Sequence, residues 1–276
     1  MKRWIPFVPS DPLVAVIRLH GTISTGARGQ LNDIALASQI EKAFRRGKPK
    51  AVALSINSPG GSPVQSSLIS ARIRRLAEEK EIPVFAFVED AAASGGYWLA
   101  CAGDKVYADK SSIIGSIGVI MAYFGFQDFI KKYGVERRIH TSGDNKSQLD
   151  PFRPEDPEDV ARISAISNDI HQTFIDHVRT ARGARLAEDA RLFNGEFWTA
   201  DTARELGLTD GLGPLVPTMK AENDDQVRFS AHGPTKSLFQ RLGAWLPPDA
   251  PDTHPERAHT ARVHRFHACP VHTRHR

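Results

Sequence analysis

Three times in its first hundred residues the chain passes from a short apolar stretch, through a turn or loop, into a segment with helical spacing, and no other feature constrains its fold as much. Leu13 to Leu19, Ala51 to Ile56 and Pro83 to Val88 are the apolar stretches, and only Arg18 and Ser55 interrupt them. Strands without polar alternation are those buried on both faces. Between them, Asn32 to Phe44 carries an apolar stripe of Ile34, Ala37, Ile40 and Phe44. Ser62 is placed to cap, and Pro63 to open, a helix that runs to Lys80 on Val64, Leu68, Ile69, Ile73 and Leu76. Tyr97 to Ala102 reads as a short packed helix. Strands alternating with helices predict an α/β fold whose strands are covered on both sides.

A further unit follows. Lys105 to Ala108 and Ile113 to Ile120 read as strands, a helix falls near Phe126 to Tyr133, and Val135 to His140 reads as another strand. Thr141 to Pro154 is a polar loop, and Asp159 to Arg182 a long amphipathic helix with Ile163, Ile166, Ile170, Phe174 and Val178 on one face. After about Gly213 the pattern fails. Residues 10–215 are therefore read as one domain, and residues 216–276 as a polar, His/Pro-rich tail, mostly extended or disordered. The tail contains the linker-like run Pro247-Pro248-Asp249-Ala250-Pro251-Asp252, and the last 23 residues hold six of eleven histidines with no helical or strand frame to preorganise a metal site.

Charge excludes one class of partner. The formal net charge of +4 is concentrated in the tail, where nine Lys/Arg face six Asp/Glu, and the body is nearly balanced at 27 against 26. Nucleic-acid binding needs a basic stripe that this body lacks. Two cysteines, Cys101 in an apolar helix and Cys269 in the tail, argue against a disulfide scaffold. The N-terminal run is interrupted by Pro6 and Pro9 and has no signal-peptide core, and the longest uncharged segment, Ser111 to Gln127, is too short and too rich in Gly and Ser to span a bilayer. A cytoplasmic protein is expected.

The chemistry concentrates at two glycine turns. Asp90-Ala91-Ala92-Ala93-Ser94-Gly95-Gly96-Tyr97 sets one hydroxyl among residues too small to obstruct it, at a strand-to-helix turn where free backbone amides favour negative charge. Ser94 reads either as a helix cap or as a nucleophile. The second turn, Ser58-Pro59-Gly60-Gly61, reads alone as an ordinary tight turn. If the second and third strands are neighbours, the Gly61 and Gly95 amides can converge beside Ser94 as an oxyanion hole. A nucleophilic serine needs a base. His20 and His140 adjoin strands without an acidic partner set by any motif, and Lys146 lies in the polar loop.

Asn57-Ser58-Pro59-Gly60-Gly61, Ala93-Ser94-Gly95-Gly96-Tyr97, Ile114-Gly115-Ser116-Ile117-Gly118-Val119 and Ser142-Gly143-Asp144-Asn145-Lys146, in this order, resemble the signal peptide peptidase A (SppA/SohB-type) serine peptidases over about residues 12 to 213. The resemblance implies a ClpP/crotonase-like core of repeated β-β-α units in a spiral. It implies a serine endopeptidase working through a Ser/Lys dyad and an acyl-enzyme, with Ser94 as nucleophile and Lys146 as general base. Ser116 would orient the lysine, and Gly61 and Gly95 would supply the oxyanion amides. No metal or organic cofactor is implied. The partners implied are hydrophobic or signal-peptide-like peptides and further copies of the chain in a ring-like homo-oligomer, with the two dyad residues from one subunit or two. Peripheral membrane association is compatible with it.

A lysine base must lose its proton near neutral pH, so Lys146 is expected to be at least partly buried against Ser94 and Ser116, within the chain or on assembly. Two other readings share the fold: an acyl-CoA hydratase or isomerase of the crotonase type, which would use acidic pocket residues, and a noncatalytic assembly partner of membrane proteins.

Overall fold

The computed structural model describes residues 11–25, 30–223 and 225–233. In chain order these form β1 (Leu13–His20), α1 (Asp33–Arg45), β2 (Ala51–Ser58), α2 (Pro63–Lys80), β3 (Val84–Ala93), α3 (Gly95–Ala100), β4 (Lys105–Ala108), β5 (Ile113–Gly115), α4 (Gln127–Lys132), α5 (Pro157–Arg182), β6 (Phe197–Thr199), α6 (Ala200–Glu205), β7 (Gly211–Leu212), α7 (Leu215–Asn223) and β8 (Arg228–His232). The helix starts follow their capping residues. Asn32 accepts from the Ala35 amide, Ser62 from Gln65 and Asp156 from Glu158, with Pro63 and Pro157 opening their helices.

One eight-stranded sheet runs in the order β6-β5-β3-β2-β1-β8, with β4 also on β3 and β7 on β4. All pairings are parallel except β5 with β6. The central strand β3 is forked. Its first half pairs β4 from Phe85 to Val88, and its last three residues pair β5 through Ala93↔Gly115. Between these halves its register with β2 shifts, from Ile56↔Val88 to Ser58↔Ala92. Beyond the shift β3 runs five residues past the apolar run and delivers Ser94 just past its carboxyl end.

Side-chain alternation divides the core. Ile17, Leu19, Leu54, Ile56, Val88 and Ala92 face α1, α2 and α3, with Phe174 and Val178 of α5 behind α3. Val14, Val16, Ala53 and Phe87 face the other side and are covered by Met219 of α7 and by Val227. This cover corrects the reading of residues 216–276 as extended or disordered: α7 and β8 within it are folded. β8 pairs β1 from Leu13↔Arg228 to Ile17↔His232. The segment has little apolar periodicity of its own, and its order derives from the β1 edge and the outer sheet face it closes. The proline-rich run and the histidines from 254 onward lie outside the described residues.

Two other expectations fail in the central region. The strand expected from Ile113 to Ile120 ends at Gly115, because Gly115 (φ +118°) and Ser116 (φ +52°) turn the chain off β3. Val135 to His140 forms no strand, and most of it is exposed. The α1 and α5 stripes are also buried only in part. Ile34 is 87% exposed and Ile166 48%, whereas Leu36, Ile40, Ala43 and Phe44 of α1 and Phe174, Val178 and Arg182 of α5 are buried. The N-terminal two-thirds of α5 and the segment before it therefore lie away from the core.

Candidate active site

The carboxyl ends of β2 and β3 lie side by side, and the two glycine turns leave from them. Their backbones approach more closely than side chains would permit. A methyl on Gly60 (φ +99°) would come within 2.7 Å of the Ala93 carbonyl, 2.8 Å of the Gly95 nitrogen and 2.9 Å of Ser94 Cβ. On Gly61 it would lie 2.1 Å from the Ile23 carbonyl, and on Gly95 2.4 Å from Ser66 Oγ. Hydrogen is the only substituent these positions accept.

Ile23 and Gly61 form a parallel bridge, in which the Ile23 amide donates to the Gly60 carbonyl (2.9 Å) and the Ser62 amide to the Ile23 carbonyl (2.8 Å). In this pattern the amide of the middle residue points away from its partner strand. The Gly61 N–H is thus directed from Ile23 toward Gly95, where an added methyl would sit 3.4 Å from the Gly61 nitrogen. Among the described residues neither the Gly61 nor the Gly95 amide has an acceptor.

Ser94 stands at the same turn, preceding Gly95 and with its Cβ 2.9 Å from where a methyl on Gly60 would sit. Its backbone is at φ 51°, ψ −123°, a conformation an L-residue adopts only under constraint. The constraints are visible: its amide donates to the Gly115 carbonyl (2.9 Å), and its carbonyl accepts from Tyr97 (2.9 Å) and Trp98 (3.1 Å). Although Ser94 occupies the N-cap position of α3, its hydroxyl makes no capping bond. The capping reading therefore fails, and a half-buried serine is left at the turn that carries two amides without acceptors among the described residues. Ser66 is buried under this turn and donates to the Ser62 carbonyl (2.9 Å); no motif in the sequence singled it out.

Ser116 is brought to the same place. Ala93 pairs Gly115, so the next residues, Ser94 and Ser116, leave adjacent strand ends. Lys146 is not brought there within one chain. It is exposed, with its amide on the Gly143 carbonyl (3.3 Å), and among the described residues no hydrogen bond or ion pair joins it to Ser94 or Ser116. The burial expected of this lysine is thus absent from the single chain, because its loop belongs to the region that leaves the core. A cleft of about 740 Å³ opens beside this loop, against Phe124, Asp150 and the Asp159 and Arg162 of α5, and not at Ser94.

The histidines do not replace the lysine. His20 has an acidic partner after all: its Nε2 lies 2.7 Å from Ser55 Oγ and 3.4 Å from Glu89 Oε1, and Ser55 donates to Glu89 (2.6 Å). The sequence did not reveal this because the three residues lie on three strands. They project from the sheet face opposite α3, so they cannot serve Ser94. His140 is exposed. His177 of α5 stacks on Trp98 at 4.6 Å and bonds the Trp98 carbonyl at 3.1 Å; burial draws its imidazole below the ordinary histidine range, and the carbonyl offsets part of that. Burial likewise pushes the Cys101 thiol up to about 12, which leaves it inert at neutral pH. Among the described residues no three His, Cys, Asp or Glu are grouped to hold a metal ion.

Comparison with known proteins places this geometry in context. The family model for peptidase family S49 matches residues 77–226, more than half of the chain, a span that contains Ser94, Gly95, Ser116 and Lys146 and begins after Gly61. The chain is 50% identical over 246 residues to a Brucella melitensis protein named Na(+)/H(+) antiporter NhaA, covering 87% of this chain and 33% of that protein. It is 32% identical over 224 residues to the serine protease SPPA, chloroplastic, of Arabidopsis thaliana (78% of this chain, 33% of the relative). To protease 4 of Haemophilus influenzae it is 32% identical over 216 residues (72% and 32%). The chain thus spans about a third of the length of these relatives. Its fold is similar to that of a 1510-N membrane-bound stomatin-specific protease solved with a substrate peptide, at a TM-score of 0.53 and 15% identity over 86% of this chain and 98% of that one. That likeness is one of fold, and it agrees with the expected α/β architecture. No helix among the described residues is long and apolar enough to cross a membrane.

Proposed function

Because this chain belongs to peptidase family S49, we propose that it is a serine endopeptidase in which Ser94 attacks the peptide carbonyl and Lys146 is the general base. One observation carries the reading: Ser94 is held at φ 51°, ψ −123° with its hydroxyl making no capping bond, at the turn where the Gly61 and Gly95 amides have no acceptor among the described residues. In the mechanism, the neutral lysine takes the Ser94 proton as Oγ attacks, and the two amides receive the charge that develops on the carbonyl oxygen. The protonated lysine returns the proton to the leaving amine. Water, deprotonated by the same lysine, then hydrolyses the acyl-enzyme.

Free lysine titrates near 10.4, so only roughly one in a few thousand is neutral at pH 7. A lysine base must therefore be desolvated, and in the single chain Lys146 is exposed. The reading assigns that desolvation to a second copy of the chain. The region around the loop leaves Ile120 87%, Phe124 78%, Phe129 60% and Tyr133 64% exposed, and beside the glycine turn Val64 is 64% exposed. Apolar residues grouped in this way mark surfaces that meet a partner. The same surfaces suit hydrophobic, signal-peptide-like substrates, and a cytoplasmic peptidase meeting such segments at a membrane surface is the setting that follows.

Labelling by a fluorophosphonate tests the proposal. The wild-type protein is expected to be acylated, Ser94→Ala not at all, and Lys146→Ala far more slowly. A wild-type protein that is never acylated and cleaves no apolar peptide overturns it.

A further inference from the structure

The residue that ties the Ser116 segment to the rest of the site is one that the motifs do not contain. Ser116 sits at φ +52°, next to Gly115 at φ +118°, so nothing in its own conformational preference holds it there. On its N-terminal side it is fixed by its amide, which donates to the Glu196 carbonyl at 2.6 Å. On its C-terminal side the next side chain, Ile117, is fully buried, and the Ile117 carbonyl lies 3.1 Å from Nε2 of His171 in α5. A carbonyl only accepts, so Nε2 carries the hydrogen and donates it.

His171 is placed on a helix that touches the Lys146 loop, α3 and the Ser116 segment. At its first turn, Asp159 accepts from the Leu149 amide (3.3 Å), three residues after Lys146. Toward its end, Phe174 and His177 stack on Trp98 of α3, the helix that starts at Ser94. Between these, His171 is the α5 side chain that bonds the Ser116 segment.

We propose that His171 is a positioning residue: its hydrogen bond to the Ile117 carbonyl fixes the Ile117–Gly118 peptide, the second after Ser116, and so holds the Ser116 hydroxyl toward the lysine that the peptidase reading has it orient. His171 touches no reacting atom and acts through Ser116. The inference rests on the peptidase reading above. Removing the bond frees the Ile117 peptide to rotate, Ser116 relaxes from its left-handed conformation, and the serine is deprotonated less efficiently while ligand still docks on the unchanged glycine turns.

The test is the inactivation kinetics of the full chain with a fluorophosphonate, resolved into the maximal rate and the half-saturating concentration. His171→Ala is expected to lower the maximal rate about tenfold or more, as misplacement in a site does, with the half-saturating concentration within about twofold of wild type on the same ground. His171→Gln, whose carboxamide nitrogen can reach the same carbonyl, is expected to recover most of the rate. The melting temperature of each variant separates this from unfolding. Wild-type kinetics in His171→Ala overturn the inference, as does an equal loss in the Ala and Gln variants, or a loss in His171→Ala that the more stable His171→Gln shares. A wild-type chain that is not acylated at Ser94 overturns instead the reading on which the inference rests.

Discussion

The candidate site is set by hydrogen atoms where other residues have side chains. Gly61 has no room for a methyl because the Ile23 carbonyl would stand 2.1 Å away, and Gly95 has none because of Ser66 Oγ. Gly61→Ala must push the turn off Ile23, turning its amide away from Ser94. Loss of one oxyanion donor typically costs about 10²- to 10³-fold in rate, and that loss of acylation rate is expected here with Ser94 still in place. Acylation within threefold of wild type would remove Gly61 from the hole. Ser94, Gly61 and Gly95 were legible in the sequence because the geometry admits few residue types. Ser66 was not, since a buried serine on a helix looks like any other until the residue above it is known. The partnership of His20 with Ser55 and Glu89 depends on a strand order that no local motif carries.

At the scale of elements, α5 decides how the parts are held. Its C-terminal half is packed on α3 through Phe174, His177 and Val178, and its N-terminal half, with Ile166 exposed, carries the Lys146 loop away from the core. His177 makes this packing pH-dependent. Its imidazole is held below the ordinary range chiefly by burial, so the unfolded chain takes up the proton first as pH falls below about 6.5. Stability from this group is therefore present above that pH and declines as pH drops toward the folded value. Asp210 works in a separate window. Its burial favours the neutral acid, but the hydrogen bond and charge of Arg182 hold it below the usual carboxylate range, so its contribution is lost only below about pH 3.9. The melting temperature of wild type is expected to fall more steeply between pH 7 and 5 than that of His177→Gln. Parallel curves would show that protonation of His177 is not opposed by folding. The amphipathic pattern of α5 is plain in the sequence; that only its last turns are buried by this chain is not, because periodicity marks an apolar face without saying what covers it.

For the molecule as a whole, the described chain is a finished α/β body bearing an unfinished apolar region. Strands β1, β2 and β3 are covered on both faces, one by α1, α2 and α3 and the other by α7 and the segment leading to β8. The region from Ile120 to Val135 has no such cover, and α4 within it buries no residue. If a second copy supplies the cover and desolvates Lys146, Phe124→Asp and Phe129→Asp are expected to shift the protein to a smaller species in sedimentation and to slow acylation of Ser94 together. A monomeric wild type that is acylated as fast as the variants would exclude assembly from the mechanism.

Residue types and their periodicity were enough to specify the α/β class, strands covered on both faces, the capped start of α2 and the two glycine turns, because each rests on contacts within a few residues or on burial of a whole segment. The tertiary structure alone decided that β3 forks between two partners, that α7 and β8 close the outer face and β1, and that Ser94 and Ser116 leave adjacent strand ends while Lys146 stays in solvent. Those are matters of which strand edges and faces meet. The free energy that settles them resides in pairings between distant segments, and no local pattern records it.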